Sequence, residues 1–453
     1  MLFCALNAHC NAPFWHCSVH SSRAYFIKRQ SLSVCFLRYM CRYNAAEWLI
    51  CMLQSDRILS IVKAMEPKLI EERRRFHENA ELSCVEYETA KYIIEEMAKL
   101  GLSPVWVREP VSAYFIFDTQ KPGKTVALRA DIDALPLQED EYNTKQRKTV
   151  VSKNPGVCHA CGHDGHTAIL LTVARAIVEC KNDLCGKFIF FFDSGEEKGA
   201  SYDTSTPFVN VLKELLPDVI WGIHLCSFMD CGKISVQAGA RMTASGRFEI
   251  KIKGSGGHGS TPHLAVNPLY PAAEIASNIQ KNIPNSIADG EVATIAVTSI
   301  QGGSRWNVIP DTALLKGTFR CCAQNVYDHI SKQIISIVET SCKAGGCTYE
   351  YIHVPGSDEF KPVINDAVIS AIAEKSLDTI LPGARVDEPM WMASESFGKY
   401  QKVVPGLFAF VGIRNEELGC CAGHHNAKFD MDENALVLGT ALTLQFVSDF
   451  VGD

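Results

Sequence analysis

The chain lacks three features that would point to particular classes of protein. It has no long run of charge of one sign, no uninterrupted apolar stretch of membrane-spanning length and no repeating cysteine framework. Its formal net charge of -7 is spread along the chain, which argues against nucleic acid or an anionic membrane as the main partner. The absence of a long apolar stretch predicts no transmembrane helix.

Cysteine is abundant, but its distribution excludes a small disulfide-stabilised domain. The 19 cysteines among 453 residues are odd in number and scattered, whereas secreted disulfide domains are short and regularly spaced. We therefore expect most of them to be buried, small apolar residues of a protein in the reducing cytoplasm.

The first 54 residues differ in composition from the rest of the chain. They hold six of the cysteines and several basic residues, and they show no sustained helical or strand period. A basic bias is typical of organellar transit peptides, whereas this load of cysteine and aromatic residues is not. We expect residues 1–54 to be an extension outside the fold, either an import signal or a product of upstream translation.

Periodicity beyond that extension predicts an α/β fold. At 453 residues, 47% of them hydrophobic, the chain is long enough for two domains or more. From Ser55 onward, helical periods alternate with short apolar strands at residues 125–129, 187–192 and 219–223. This alternation predicts a mostly parallel sheet with helices on both faces.

A different pattern begins near Ser245. Its predicted elements run in the order strand, helix, strand, strand, helix, strand, at residues 247–253, 271–279, 292–300, 312–320, 326–340 and 348–354. This βαββαβ order predicts a ferredoxin-like α+β domain, a small antiparallel sheet with two helices on one side. Because the first pattern resumes near Pro362, we expect residues 244–355 to be inserted between two parts of one larger domain, residues 55–243 and 356–453.

Residues 158–166 contain two thiols, three imidazoles and a carboxylate within nine positions. Cys161 and His163 are two positions apart, and Gly162 between them can supply the bend that lets both side chains reach one ion. A divalent ion also offsets the cost of burying a thiolate and an imidazole. A lone histidine in a loop is usually structural, but this combination favours metal ligation.

Two further motifs follow apolar strands. Glu196 and Glu197 come after a Phe-rich run, and His224 ends a second apolar run. One of two adjacent carboxylates can bind a metal ion while the other acts as a general base on a metal-activated water. Alone, the pair would be typical of a solvated helix start capped by Ser194, but the buried strand before it favours the metal site. All these motifs lie at or just past the C-terminal ends of strands or in the loops that follow them, where open α/β sheets bind ligands.

A last histidine pair lies far downstream. His424 and His425 follow a loop rich in glycine and cysteine, and a helix is predicted from Asn434. These histidines could close the metal site from the second half of the larger domain, although their spacing alone does not establish it.

Two short motifs suggest other functions. Cys158 and Cys161 form a C-x-x-C pair, but a thioredoxin-like redox site would leave the glutamate pair and the histidine at the next strand end unexplained. Residues 254–259 match the dinucleotide fingerprint G-x-G-x-x-G, but prolines interrupt the helix that should receive the pyrophosphate. We expect this loop to present His258 instead.

Taken in order, these motifs resemble those of the M20 metallopeptidases, specifically the amidohydrolase branch that includes hippurate and indole-acetyl-amino-acid hydrolases. The resemblance runs from about Ile58 to the C-terminus. The residues that carry it are Arg73-Arg74, Phe76-His77, Glu81-Leu82, 127–136, 159–166, Gly257-His258, Pro262-His263, Gly302-Gly303 and 307–310.

The resemblance implies a metal-dependent amidohydrolase that cleaves the amide bond of N-acyl amino acids or related small conjugates. It implies two divalent metal ions per subunit, zinc or manganese first, with cobalt or nickel as alternatives. The family's last ligand lies four residues before a phenylalanine, here Phe429, which selects His425 over His424. The implied ligands are Cys161, His163, Glu197, His224 and His425.

The resemblance also implies catalytic and substrate-binding residues. Glu196 would be the general base, and His258 would reach the partner subunit's active site and stabilise the oxyanion. Asn307 and Glu395 correspond to positions that line the family's substrate pocket. The inserted domain would be the lid and the dimerisation domain of a homodimer.

The chain departs from the family pattern at three places. Asp193-Ser194-Gly195 stands where the family usually has Gln-Pro-Ala, Ser396 where it often has aspartate, and Cys158 where it usually has methionine. We expect Asp193 to add a carboxylate near the metal ions and Ser396 to change the polar contacts of the pocket. No implied ligand or base is lost, so we expect an active enzyme; the alternative is a catalytically impaired binding or regulatory protein.

Overall fold

The computed structural model describes residues 52–201, 204–357 and 361–452, and the first helix of this described part begins at Ser55. The predicted extension, residues 1–54, lies outside the described residues except for its last three. The described strands are β1 (Val105–Arg108), β2 (Ser112–Asp118), β3 (Thr125–Asp131), β4 (Lys187–Asp193), β5 (Val219–Asp230), β6 (Ile234–Ser235), β7 (Gly239–Met242), β8 (Ala244–Lys253), β9 (Gly257–His258), β10 (Ala293–Gln301), β11 (Val308–Ile309), β12 (Thr312–Cys321), β13 (Thr348–His353), β14 (Val363–Asn365) and β15 (Gly406–Arg414). The described α-helices are α1 (Ser55–Glu78), α2 (Tyr87–Lys99), α3 (His163–Glu179), α4 (Thr206–Leu215), α5 (Leu269–Asn282), α6 (Gln324–Ala344), α7 (Ala367–Ile380), α8 (Phe397–Tyr400) and α9 (Asn434–Gly452).

Seven strands form the main sheet in the order β1-β2-β4-β3-β5-β15-β6. The four central strands, β4, β3, β5 and β15, run parallel. The remaining three, β1, β2 and β6, extend the two edges in antiparallel orientation. The central strands are buried on both faces, as continuous apolar runs require. This architecture confirms the predicted α/β fold with a mostly parallel central sheet.

The phenylalanines of β4 show why this strand is central. Phe188, Phe190 and Phe192 pack into the core on one face of the sheet, and Phe191 packs into the core on the other face. All four side chains are buried. Fully burying one such side chain contributes about 1.5–3 kcal/mol, so the run fixes β4 firmly and holds its C-terminal end, where the glutamate pair follows.

Helix α9 is long and apolar enough to cross a membrane by length and composition, but 78% of its most apolar window is buried in the fold. It packs against α1, α3 and α7, and Phe446 on it stacks on Trp221 of β5 with ring centroids 4.2 Å apart. A helix that is apolar on all sides is typical of a buried core element. Helix α9 is therefore a core helix.

A separate antiparallel sheet has the order β10-β12-β8-β13. Helices α5 and α6 contribute Ile275 and Ile334 to a core shared with Phe248 and Leu315 of the sheet. Strand β12 alternates between buried and partly exposed residues, because only one face of this sheet is covered. The elements from β8 to β13 follow the predicted βαββαβ order, with the short strands β9 and β11 added.

Several element boundaries differ from the predicted ones. Helix α3 begins at His163 because Gly162 takes the left-handed conformation (φ +92°) that turns the chain into the helix. Strand β5 continues past Ile223 to Asp230 because it pairs in parallel with β15 over this length. Strand β3 ends at Asp131, two residues beyond the predicted end of the strand at residue 129.

A buried charge network joins α1 to the start of α3. His77 is hydrogen-bonded through Nδ1 to Asp164 Oδ2 at 2.8 Å and through Nε2 to Glu139 Oε1 at 2.9 Å. Arg73 pairs with Asp164 at 2.9 Å, and Lys148 donates to Glu139 at 2.8 Å. Burial alone would raise the pKa of Glu139, but His77 and Lys148 outweigh burial and lower that pKa to about 2.

Glu139→Gln is expected to lower the free energy of unfolding by about 2–3 kcal/mol at pH 7, because a carboxylate whose pKa is lower in the folded than in the unfolded state stabilises the fold above its unfolded pKa. The difference should shrink as the pH falls from about 4.5 toward 2, where the folded carboxylate takes up its proton. Urea unfolding between pH 7 and pH 3 measures it. The exposed Glu88, paired with Lys91 at 3.7 Å, gives the matched control Glu88→Gln, with little effect at any pH. A difference for Glu139→Gln that does not change with pH would contradict the expectation.

Candidate metal centre

The candidate centre lies at the C-terminal edge of the parallel strands. Cys161 precedes the left-handed Gly162, and His163 is the first residue of α3. Glu196 and Glu197 open a 3-10 turn shortly after β4. The remaining side chain from this half of the chain is His224, in the middle of β5. The end of β4, the middle of β5 and the glycine bend before α3 therefore bring the predicted motifs to one place.

Four overlapping sets of side chains have donor atoms within 4.8 Å of one another. Two of them share Cys161, and three share His163, so the sets form one continuous cluster. The sets are Cys161 with His163 and His224, Cys161 with Glu197 and His425, His163 with Glu196 and Glu197, and Asp131 with His163 and His166. Every predicted ligand belongs to at least one set.

The two downstream histidines have different surroundings. His425 Nε2 lies 3.3 Å from Glu197 Oε1, and this hydrogen bond is the main cause of the raised pKa of His425. His424 instead accepts a hydrogen bond from the Ser227 N–H at 3.1 Å, and burial lowers its pKa to about 3. His424 belongs to none of the described donor sets. The geometry therefore favours His425 as the candidate ligand.

The histidine tautomers leave nitrogen lone pairs inside the cluster. His163 donates through Nδ1 to the Asp133 carbonyl at 3.0 Å, and His224 donates through Nδ1 to the Leu225 carbonyl at 3.0 Å. In the neutral rings, Nε2 is then an acceptor. His224 Nε2 faces Cys161 Sγ at 3.8 Å. This arrangement, with Nδ1 anchored and Nε2 free, is the one metal-binding histidines use.

The donor set fits divalent cations. His163 Nε2 is a buried side-chain atom without a hydrogen-bond partner among the described residues, and such an atom is costly unless a further ligand satisfies it. Burial also raises the pKa of the Cys161 thiol well above its usual range, so a thiolate at this position requires a nearby cation. Thiolate, imidazole and carboxylate together suit a borderline-soft ion.

Glu196 is a buried carboxylate at the edge of the cluster. Its Oε1 accepts a hydrogen bond from the Ser396 N–H at 3.2 Å. Burial, and next the charges of Glu395 and Glu197, raise its pKa well above the usual range. Divalent cations nearby would favour the ionised form that a general base needs. Glu395, the predicted substrate contact beside it, is itself buried and lies 3.1 Å from the guanidinium of Arg129.

Asp193 belongs to none of the described donor sets, and its place near the metal ions stays a prediction. Its Oδ2 accepts from Arg129 at 3.0 Å and from the Tyr400 hydroxyl at 2.6 Å. Burial raises the pKa of Asp193 to about 6, even though Arg129 opposes the shift. Ser396, the second departure, also binds Arg129, so two of the three departures meet at one guanidinium.

His258 and Asn307 lie together at a separate two-stranded sheet formed by β9 and β11. Strand β9, which ends at His258, pairs with β11, and the Gly259 N–H donates to the Asn307 carbonyl at 2.9 Å. His258 is exposed and lines an open cavity of about 1030 Å³. In the described part of this single chain, no hydrogen bond or ring contact joins either residue to the candidate metal ligands.

Sequence reasoning missed an aromatic surface beside the cluster. The Trp391 ring lies edge-on to His224 at 5.1 Å and packs against His424 at 4.8 Å. Phe228, 36% exposed, lies 5.3 Å from Trp391. The sequence signal for this surface was the alternation of hydrophobic residues along β5, which continues past the predicted strand end at Ile223.

Comparisons with known proteins agree with this geometry. A family model described as Peptidase family M20/M25/M40 matches residues 127–449. Thermostable carboxypeptidase 2 of Saccharolobus solfataricus is 34% identical over 388 residues, covering 85% of this chain and 95% of that protein. IAA-amino acid hydrolase ILR1-like 5 of Arabidopsis thaliana is 32% identical over 387 residues, covering 84% of this chain and 86% of that protein.

A solved structure shows the same fold. The YXEP protein of Bacillus subtilis, described as a dinuclear metal binding peptidase from the M20 family, superimposes with a TM-score of 0.71 at 28% identity, over 86% of this chain and 99% of that one. Fold, donor set and relatives define a metal-binding hydrolase. The chain belongs to the M20 peptidase family, which confirms the resemblance drawn from the sequence.

Proposed function

We propose that this M20 protein is an amidohydrolase that cleaves the amide bond of N-acyl amino acids or related small conjugates. The observation that carries the proposal is the buried Glu196 carboxylate in the same cluster as overlapping thiol, imidazole and carboxylate donors. Relatives whose names describe amino acid conjugates as substrates support the acyl-amino-acid class. The aromatic surface beside His224 would suit an apolar part of such a substrate.

Cys161, His163, Glu197, His224 and His425 are the proposed ligands of two divalent ions, zinc or manganese before cobalt or nickel. Bound there, the ions would supply a water of lowered pKa and polarise the amide carbonyl. Glu196 takes the proton of the attacking water and returns it to the leaving amine. The hydrogen bond from the Ser396 N–H holds one oxygen of Glu196 and leaves the other for this transfer.

Residues 244–355 are proposed as a lid and dimerisation domain between the two parts of the catalytic domain, residues 55–243 and 356–453. In a homodimer, the partner subunit's His258 would donate to the oxyanion, a contribution of about 3 kcal/mol for one such donor. Asn307 beside it would contact the substrate, as would Glu395. The exposure of His258 and its separation from the donors of its own chain are consistent with a role in the partner's site.

The substrate class is tested by free-amine release from N-acetyl, N-benzoyl and indole-acetyl amino acids, with zinc, manganese or cobalt supplied. The proposal expects turnover of at least one conjugate class. A C-x-x-C redox protein would instead reduce disulfides whether or not a chelator is present. Stoichiometric metal binding without amine release from any conjugate would contradict the proposal.

The role of His258 in the partner's site predicts complementation between inactive subunits. His258→Ala and Glu196→Ala homodimers should each be nearly inactive, whereas mixing the two and allowing exchange should restore up to about a quarter to a half of wild-type activity, since some heterodimer sites have both residues intact. Differently tagged subunits allow purified heterodimers to be assayed. Absence of rescue in verified heterodimers would contradict the role in trans.

A further inference from the structure

One buried guanidinium organises the polar groups behind Glu196. Arg129 on β3, whose side chain is 1% exposed, donates through Nη1 to Asp131 at 2.8 Å and through Nε and Nη2 to Asp193 at 3.3 and 3.0 Å. Its Nη2 also lies 3.1 Å from Glu395. A single cation therefore faces three buried carboxylates, and its position depends on all of them.

Ser396 connects this guanidinium to the proposed base. Its hydroxyl accepts from Arg129 Nη2 at 2.8 Å and donates to Glu395 at 3.1 Å, while its backbone N–H donates to Glu196 Oε1 at 3.2 Å. The hydroxyl therefore anchors Ser396 to Arg129 and Glu395, and the backbone N–H of Ser396 holds the carboxylate of Glu196. A shift of Ser396 would therefore move the hydrogen bond that orients Glu196.

Asp193 lies at the far end of the series of hydrogen bonds that runs from Glu196 through Ser396 and Arg129. It accepts from two nitrogens of Arg129 through the same oxygen that accepts from the Tyr400 hydroxyl at 2.6 Å. Asp193 and Ser396 both accept a hydrogen bond from Arg129 Nη2. The charge of the side chain at one of these positions therefore determines whether a charged side chain fits at the other. Because Asp131 and Glu395 also face the guanidinium, a carboxylate at position 396 beside Asp193 would add a fourth like charge. Loss of the Asp193 carboxylate would release two donors of Arg129 and let the guanidinium turn toward its remaining acceptors.

We propose that Asp193 and Ser396 are a coupled pair of positioning residues that, through Arg129, hold the carboxylate of Glu196 in its catalytic orientation. The proposal rests on the proposed function, in which Glu196 is the base. It assigns a role to the two polar departures from the family pattern that meet at Arg129. They act together and not as separate changes to the pocket.

The test is a double-mutant cycle of Asp193→Asn, Ser396→Asp and the double variant. Asp193→Asn removes one of the three carboxylates that hold Arg129, and Ser396→Asp adds a fourth. Each single variant is expected to lower kcat by about 10–100-fold, the cost of misplacing a catalytic group, with KM within about threefold and metal content unchanged. The double variant restores one carboxylate in the cluster and should recover at least about tenfold over the weaker single variant.

Two further variants control for folding. Asp449→Asn removes a carboxylate that accepts from Ser376 at 2.6 Å on the other side of the large domain, and its kcat should equal that of wild type. Tyr400→Phe deletes one hydroxyl and should lower kcat by less than Asp193→Asn does. Tyr400→Phe keeps the test decisive if Asp193→Asn yields no folded protein.

The outcomes separate the two proposals. Rescue of kcat in the double variant, or a loss confined to kcat in Tyr400→Phe, supports the coupled pair. Wild-type kcat in Asp193→Asn or Tyr400→Phe would overturn it. A fold loss of kcat in the double variant equal to the product of the two single losses would also overturn it. If wild type releases no amine, the proposed function fails, and the coupling is then decided by urea unfolding: a double variant no more stable than the two single losses predict would overturn the pair.

Discussion

Glu196→Gln is expected to lower kcat by about 10²–10⁴-fold, the contribution of a well-placed general base. The amide keeps the size of the side chain and can still accept from the Ser396 N–H, but it cannot take a proton from water. Because Glu196 is the proposed base and not a ligand, the protein should still bind two metal ions. Steady-state kinetics together with metal analysis of the purified variant measure both effects.

The neighbouring carboxylate provides the matched comparison. Glu197→Gln makes the same chemical change one position away, but Glu197 Oε1 lies 3.3 Å from His425 in the ligand set. This variant should lose activity together with metal, and added metal should restore part of the activity. If Glu196→Gln lost its metal, or if it kept activity near that of wild type, the division of roles between the two glutamates would be wrong.

Cys161→Ala is expected to lower metal affinity and kcat/KM by about 10²-fold or more, because even groups that only support a ligand contribute about 10–100-fold. Cys161 belongs to two of the described donor sets, and its thiol lies 3.8 Å from His224 Nε2. Loss of the thiol should therefore weaken both ion sites at once. Isothermal titration of metal into chelated protein, followed by amine release, measures the effect.

Cys158 gives a control three residues away. It is as buried as Cys161, it belongs to none of the described donor sets, and burial raises its pKa to about 12, so its thiol stays protonated. Cys158→Ala should lower stability through lost packing but leave metal binding and kcat/KM within about threefold of wild type. Equal losses in the two variants would favour the C-x-x-C redox interpretation over the metal centre.

Much of the fold could be predicted because its signals are local. The Phe-rich run of β4 and the other apolar strands alternate with helical periods, and this alternation is enough to predict a parallel sheet. Side chains at the ends of such strands meet at one edge, so the closeness of Cys161, His163, Glu197 and His224 followed from topology alone. Choosing His425 over His424 required the resemblance to the family.

The rest depended on contacts between residues far apart in sequence. Arg129 meets Ser396 across 267 positions, and no periodicity relates them. Asp193 was expected near the metal ions because it precedes Glu196, and Arg129 on the adjacent strand and Tyr400 on α8 bind it. Strand β1 was missed because it has only four residues, all at least partly exposed, at the edge of the sheet.

The most direct test of the account is a metal titration of chelated wild-type protein, with metal bound per subunit and amine release from an N-acyl amino acid measured on the same samples. The account predicts no turnover in the metal-free protein and activity that rises as the cluster fills, reaching its maximum at two ions per subunit. Amine release that persists after complete chelation, or full metal binding without any turnover, would contradict a metal-dependent amidohydrolase.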